Sequence, residues 1–295
     1  MSPEHFVRVS YDLRQRFRYV YPGPIRNLHH QLVIAPPRVY GDQRCVSDRL
    51  TVSPDIPVRW YRDAFDNAVA TIDAAFIRDA VEIDYEAVIE RSAARTPLIP
   101  AAWYDDPRFR SPSALTVPDR RLRDAAAELA TTMAQRAGPG DDRRALSAAD
   151  PRATAAAICE FVYGHMRYAS DVTTVETTAA EAFAQGAGVC QDYAHVMIAL
   201  CRLRGLAARY VSGHMLGEGG THAWVEIVGP PDGDTAPVWG FDPTHRRATT
   251  LRYLFVAAGR DYADVTPTSG RFVAPYHGEF STSRSVDVMT AEYAA

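Results

Sequence analysis

The feature that most constrains the fold is a change of hydrophobic period along the chain. Over residues 6–21, Phe6, Arg8 and Ser10 alternate with Val7, Val9 and Tyr11, and Arg14, Arg16 and Arg18 then alternate with Phe17 and Tyr19. Successive side chains of a strand point to opposite faces, so a period of two predicts half-buried strands. Residues 29–35, 44–52, 58–62 and 81–89 read the same way. Between them lie Pro22-Gly23-Pro24, Pro36-Pro37, Gly41-Asp42 and Asp66-Asn67, residues that set or tolerate turn dihedrals. This pattern predicts an antiparallel β sheet or sandwich over residues 1–100. A proline-rich stretch follows, and residues 101–118 are read as a connection.

From residue 119 the period becomes helical. Residues 119–137 have a charged first turn and stop at Gly138-Pro139-Gly140. Asp150-Pro151 opens a second helix running to Met166, and Thr178 caps a short third one. A fourth begins at Cys190 and runs to Arg204, where Gly205 ends it. Strand patterns return at 207–213, 222–228 and 237–242, and residues 251–258 read as a short helix. Helices followed by strands make residues 119–295 an α+β unit.

Composition narrows the possible partners. The 295 residues suffice for a packed core without disulfide or metal staples. A net charge of −4 offers no basic field for nucleic acid. No apolar run approaches the ~18–20 residues of a membrane helix. The first twenty residues carry Glu4, Arg8, Asp12, Arg14, Arg16 and Arg18, unlike the apolar core of a signal peptide. Four cysteines without a C-x-x-C pair are no secreted disulfide framework. The expectation is a cytoplasmic protein with neither nucleic acid nor membrane as partner. Zinc-type spacings and an EF-hand loop are lacking, and Gly186-Ala187-Gly188 lacks the third glycine of a dinucleotide fingerprint, so neither metal nor cofactor is expected.

Three segments carry the chemistry. In Gly186-Ala187-Gly188-Val189-Cys190, two glycines lead into the fourth helix with Cys190 in its first turn. Free amides at a helix N-terminus favour negative charge, which suits a thiolate. In Gly219-Gly220-Thr221-His222-Ala223-Trp224-Val225-Glu226, His222 opens a strand. In Val238-Trp239-Gly240-Phe241-Asp242-Pro243, Asp242 closes one. If the two strands pair, Asp242 reaches the imidazole and orients it toward the sulfur, as a Cys–His pair requires. Cys45, Cys159 and Cys201 read as packing residues, and His195 and His214 as buried hydrogen-bonding groups. Asp192 reads as a partner of free amides in the helix first turn.

The run from Cys190 to Gly213, the His222-Ala223-Trp224-Val225-Glu226 segment and Gly240-Phe241-Asp242-Pro243-Thr244 resemble the transglutaminase-like cysteine enzymes. The chain is most similar to the bacterial branch with an extra N-terminal β domain, and residues 259–267 share that likeness. The resemblance is dense from about Ile158 to Pro267 and looser over 6–95. Where that branch shows Asp-x-x-Gly-Asn, this chain has Asp63-Ala64-Phe65-Asp66-Asn67. The resemblance implies a papain-like core of helices on an antiparallel sheet, with Cys190 as nucleophile, His222 as acid and base, and Asp242 as orienting acid. It also implies a peptide or protein amide as substrate and a thioester on Cys190. Hydrolysis is the expected outcome; transamidation and a non-catalytic peptide-binding module are the alternatives. An acyltransferase fed by a thioester is disfavoured, because no nucleotide signature is visible. All 32 basic residues are Arg, so no lysine amine of this chain is available for self-cross-linking. The Cys190 amide is the expected first oxyanion donor, with Tyr168 and Gln185 as candidates for the second.

Overall fold

The computed structural model describes residues 6–93, 96–136 and 150–293. The first part comprises β1 (Phe6–Val20), β2 (Ile25–Ala35), β3 (Val39–Tyr40), β4 (Gln43–Ser53), β5 (Val58–Arg62), β6 (Ala68–Ile77), β7 (Ala80–Ser92) and β8 (Leu98–Pro100). The helices are α1 (Pro107–Arg110), α2 (Arg120–Arg136), α3 (Pro151–His165), α4 (Ala179–Gln185) and α5 (Cys190–Leu203). Short β9 (Arg167–Tyr168) and β10 (Ala187–Gly188) flank α4. Then follow β11 (Ala207–Met215), β12 (His222–Val228), β13 (Thr235–Asp242), β14 (Arg247–Ala248), β15 (Tyr253–Gly259), β16 (Thr268–Val273) and β17 (Glu279–Tyr293). The stop expected for α2 at Gly138 lies outside the described residues.

Two antiparallel sheets, β17-β1-β7-β4-β3 and β16-β2-β6-β5, form the predicted sandwich. Their inner faces share one core that includes Tyr11, Leu13 and Phe17 of β1, Leu32 and Ile34 of β2, Ile72 of β6, and Ile83 and Tyr85 of β7. The alternation in β1 is broken by a bulge between Phe6 and Arg8, where Val7 is the extra residue, which is why Phe6 and Val9 are both buried; opposite Ser10 and Tyr11 the extra residue is Met289 of β17. The extent expected for the α+β unit, 119–295, needs correction. β16 pairs with β2, and β17 pairs with β1 along its whole length, so the last strands of the chain complete the N-terminal sheets. Their polar, half-exposed sequence hides this role. Nor do residues 101–118 stand apart. β8 just before them pairs with β13, and α1 buries Phe109 against Ala207 and Val238.

The second sheet system runs β14-β13-β12-β11-β15. Ala208 and Tyr210 of β11, with Ala223, Val225 and Ile227 of β12, face the helices, while Val211, Trp224, Tyr253 and Phe255 face the opposite side. Residues 251–258, expected as a helix, are instead mostly β15. The run Tyr-Leu-Phe-Val-Ala-Ala-Gly is buried on both faces, so it carries no alternation.

α5 is the axis of this half. Gly186, at φ +64°, ends α4 in the left-handed conformation, and α5 starts four residues later. Every residue from Gln191 to Arg202 is buried. Burying each of Met197, Ile198 and Leu200 contributes roughly 1.5–3 kcal/mol relative to exposure. At the far end, the Arg202 guanidinium donates to the carbonyls of Phe109 (3.2 Å), Ala208 (3.0 Å) and Arg260 (2.8 Å), and to the hydroxyls of Ser113 (3.2 Å) and Thr116 (2.8 Å). It ties the connection, β11 and the segment after β15 to the helix. Arg202→Met leaves these buried acceptors unpaired and is expected to lower the unfolding free energy by roughly 3 kcal/mol. Urea denaturation reads this directly, and an unchanged midpoint contradicts the role.

Candidate active site

Cys190 sits in the first turn of α5 and is half-buried, whereas Cys45, Cys159 and Cys201 are buried. Before it, the Val189 amide donates to Asp192 Oδ2 at 2.8 Å, and the Thr173 hydroxyl donates to the same oxygen at 2.7 Å. Asp192 thus holds the residue before the helix rather than the first-turn amides expected for it. A Cβ at Gly188 would collide with the Asp192 side chain, so the second glycine serves this close approach.

β12 and β13 are antiparallel, with Val225 opposite Phe241, so the end of β13 lies beside the start of β12. Asp242 therefore meets His222, whose Nε2 donates to Oδ2 at 2.8 Å. The imidazole also interacts with Cys190, for which Nδ1 is the nitrogen left free by Asp242. The three residues singled out in the sequence thus converge in the order sulfur, imidazole, carboxylate. Burial alone would push His222 down; its interactions with Asp242 and Cys190 outweigh this and lift it to about 10. Burial likewise pushes Asp242 up, but the hydrogen bonds from His222 and His245 and the His222 charge hold its carboxyl well below the usual range.

Asp242 is fully buried and accepts more than the His222 proton. On Oδ2 it also accepts from His245 Nδ1 (2.8 Å) and the Tyr253 hydroxyl (2.7 Å). On Oδ1 it accepts from the amides of Thr244 (2.9 Å) and His245 (3.2 Å). His245 and Tyr253 escaped the sequence reading. His245, three residues after Asp242, was a local signal; Tyr253 lay in the segment expected to be helical. His245 Nε2 also lies 3.7 Å from Glu218, on the loop leading to His222.

Of the two candidates for a second oxyanion donor, only Tyr168 comes near the cysteine. β9 pairs with β10, setting Tyr168 beside Gly188, and its hydroxyl feels the charge of Cys190. The Gln185 amide instead donates to the Val172 carbonyl at 3.1 Å. His195 is buried away from the triad, accepting the Tyr262 amide on Nε2 at 3.1 Å, and burial pushes it down to about 4. His214 is buried in β11 and is pushed down to about 4, again by burial.

No metal ligand set was expected from spacing, yet His222, Asp242 and His245 each offer a donor atom within 4.8 Å of the others. Imidazole and carboxylate suit zinc. The same atoms carry the hydrogen bonds just described, and His222 Nε2 and His245 Nδ1 would have to give up their protons to bind a cation, which would compete with the Cys190–His222 pair.

Two family models match the chain: the transglutaminase-like superfamily over residues 142–239, and the bacterial transglutaminase-like N-terminal region over residues 11–102. The chain thus carries a transglutaminase-like core and a bacterial transglutaminase-like N-terminal region. Cys190 and His222 fall within the first model, and Asp242 lies three residues beyond it. An uncharacterized protein of Mycobacterium leprae is 26% identical over 262 residues, 85% of this chain and 89% of its own. An uncharacterized protein of Mycobacterium tuberculosis is 39% identical over 120 residues, and that match spans only 38% of the relative's length. The structure titled as a putative cysteine protease from Cytophaga hutchinsonii shares the fold, with a TM-score of 0.73 at 19% identity, covering 97% of this chain and 93% of that one.

This transglutaminase-like site makes a prediction for its cysteines. Burial pushes the Cys45 thiol up and raises Cys159 to about 12. Burial likewise raises Cys201. In the native protein at pH 7.5, iodoacetamide should label Cys190 alone, with the other three reacting only after unfolding, as read by peptide mass spectrometry. Labelling of Cys159 or Cys201 at the rate of Cys190 contradicts the site as described.

Proposed function

We propose that this protein is a cysteine hydrolase that cleaves carboxamide or peptide bonds through a Cys190 thioester. The observation that carries the reading is His222, held by Asp242 on one nitrogen and electrostatically coupled to a half-buried thiol at a helix N-terminus. In this mechanism the Cys190 thiolate attacks the amide carbonyl. The oxyanion is met by the Cys190 backbone amide and the Tyr168 hydroxyl. The His222 imidazolium gives its proton to the departing ammonia or amine as the C–N bond breaks, leaving a thioester and a neutral imidazole. Water then adds to the thioester while His222 takes its proton. Collapse releases the carboxylic acid and restores the thiolate–imidazolium pair. Asp242 stays ionised throughout and keeps the imidazole aligned.

Hydrolysis is preferred over transamidation because the mouth of the site is open. Tyr168 is 54% exposed, and the side chains of His245 and Glu218 are 32% and 43% exposed, so water reaches the thioester freely. A primary amine at high concentration yields the conjugate by the same route. The substrate class is a peptide or protein, either at its backbone or at a Gln side chain.

Incubation with a peptide library containing Gln, with and without methylamine, tests the reading by mass spectrometry. Wild type should give hydrolysis products, and Cys190→Ala should lose at least about a thousandfold in kcat/KM with an unchanged unfolding midpoint. Equal turnover by Cys190→Ala removes the mechanism, and methylamine conjugates dominating at millimolar amine reassign it to transamidation.

A further inference from the structure

β15 lies at one edge of the core sheet, and an edge strand leaves a row of amides and carbonyls without strand partners. Here the N-terminal β domain fills that row with side chains. Gln43 Oε1 accepts the Phe255 amide and Gln43 Nε2 donates to the Phe255 carbonyl, both at 2.8 Å. Asn67 repeats the arrangement three residues on. Its Oδ1 accepts the Ala258 amide and its Nδ2 donates to the Ala258 carbonyl, both at 2.9 Å. The spacing of three, rather than the two or four of a regular strand, follows from the irregularity opposite Ser212 and Gly213, where Val256 is the extra residue. Both amides are buried, Gln43 1% and Asn67 4% exposed. Arg91 adds a third hold. Its guanidinium donates to the Tyr253 carbonyl and forms a two-pronged ion pair with Asp42 at 2.8 Å. Tyr11 donates to the Leu251 carbonyl at 2.8 Å.

The Asp63–Asn67 turn serves this contact. Asp63 Oδ1 accepts the amides of Phe65 and Asn67, and its Oδ2 accepts the Asn67 side chain, each at 2.8 Å. Asp66, standing where the bacterial branch has glycine, takes φ +64°. Asp tolerates this left-handed conformation, so the turn still aims Asn67 at β15.

β15 in turn carries Tyr253, whose hydroxyl donates to Asp242 and whose ring meets Trp224 edge-on at 5.5 Å. We propose that the N-terminal β domain is a positioning element for the catalytic acid: Gln43, Asn67 and Arg91 hold β15 where Tyr253 reaches Asp242. This rests on the reading of Cys190, His222 and Asp242 as catalytic. Asp242 Oδ2 is shared among His222, His245 and Tyr253, so displacement of Tyr253 changes how the carboxylate divides itself between the two imidazoles.

The test uses the full chain and needs no substrate: the pH profile of Cys190 alkylation by iodoacetamide in wild type, His222→Ala, Tyr253→Phe, Gln43→Met and the Gln43→Met/Tyr253→Phe double variant. Gln43→Met should slow Cys190 labelling at pH 7 on the order of fivefold and move the profile toward that of Tyr253→Phe. The double variant should be no slower than Tyr253→Phe alone, because Gln43 acts through Tyr253. A Gln43→Met protein that melts earlier yet keeps the wild-type profile overturns the proposal, as does a double variant whose losses multiply. Asn67→Ser, at the far end of β15, gives the same reading if Gln43→Met does not fold. If wild type and His222→Ala share one profile, the catalytic reading itself fails; if they differ while Gln43→Met matches wild type, only the positioning role fails.

Discussion

The Asp242 carboxylate carries a charge that is wholly buried, and the architecture around the site follows from keeping it ionised. An unpaired carboxylate in a protein interior protonates rather than bear its loss of hydration. Five donors prevent that here, drawn from the start of β12, the turn after β13 and the start of β15. Antiparallel pairing of β12 with β13 brings His222 alongside, the turn after β13 delivers two backbone amides and His245, and the ends of β11 and β15 converge to bring in Tyr253. The ionised carboxylate in turn sustains a positive His222 beside Cys190. A neutral Asp242 would leave Cys190 to oppose burial without the carboxylate's help.

The two halves are one mechanical unit. β17 follows β1 from Val20 back to Phe6, so the chain closes on its own beginning. Between the halves, Tyr40 donates to Glu226 at 2.6 Å, and Glu226 also accepts from the buried Arg209 at 2.6 Å. Glu226 lies on the same strand as His222, four residues along. Leu254 of β15 belongs to the sandwich core. A sandwich that shares its core with the active-site sheet and hydrogen-bonds that sheet's edge is part of the site's framework.

The convergence of Cys190, His222 and Asp242 was legible in the sequence because each sits at an element boundary with a local signature: glycines before α5, Gly-Gly before β12, and Pro243 after β13. The sandwich was legible in β1, β2, β4, β5 and β7 through turn residues and alternation. β6 was missed because its small residues, Ala68, Ala70, Ala74 and Ala75, blur the pattern. β15 was misread because a strand buried on both faces has the composition of a buried helix. β17 is exposed along much of its length and owes its existence to pairing with β1, a contact some 270 residues distant in sequence. Tyr253, Gln43 and Asn67 act through convergence of distant segments, and no local pattern announces that, whereas His245 lies three residues after Asp242 and was a local signal.

The central claim is that the Asp242–His222–Cys190 arrangement holds the imidazole positively charged at neutral pH. The most direct measurement is an NMR titration of the His222 ring, assigned by its loss in His222→Gln. The account predicts that His222 stays protonated through pH 8 and titrates near 10, and that Asp242→Asn moves the midpoint sharply down. A His222 midpoint near its ordinary value of about 6.5, unchanged in Asp242→Asn, would contradict it.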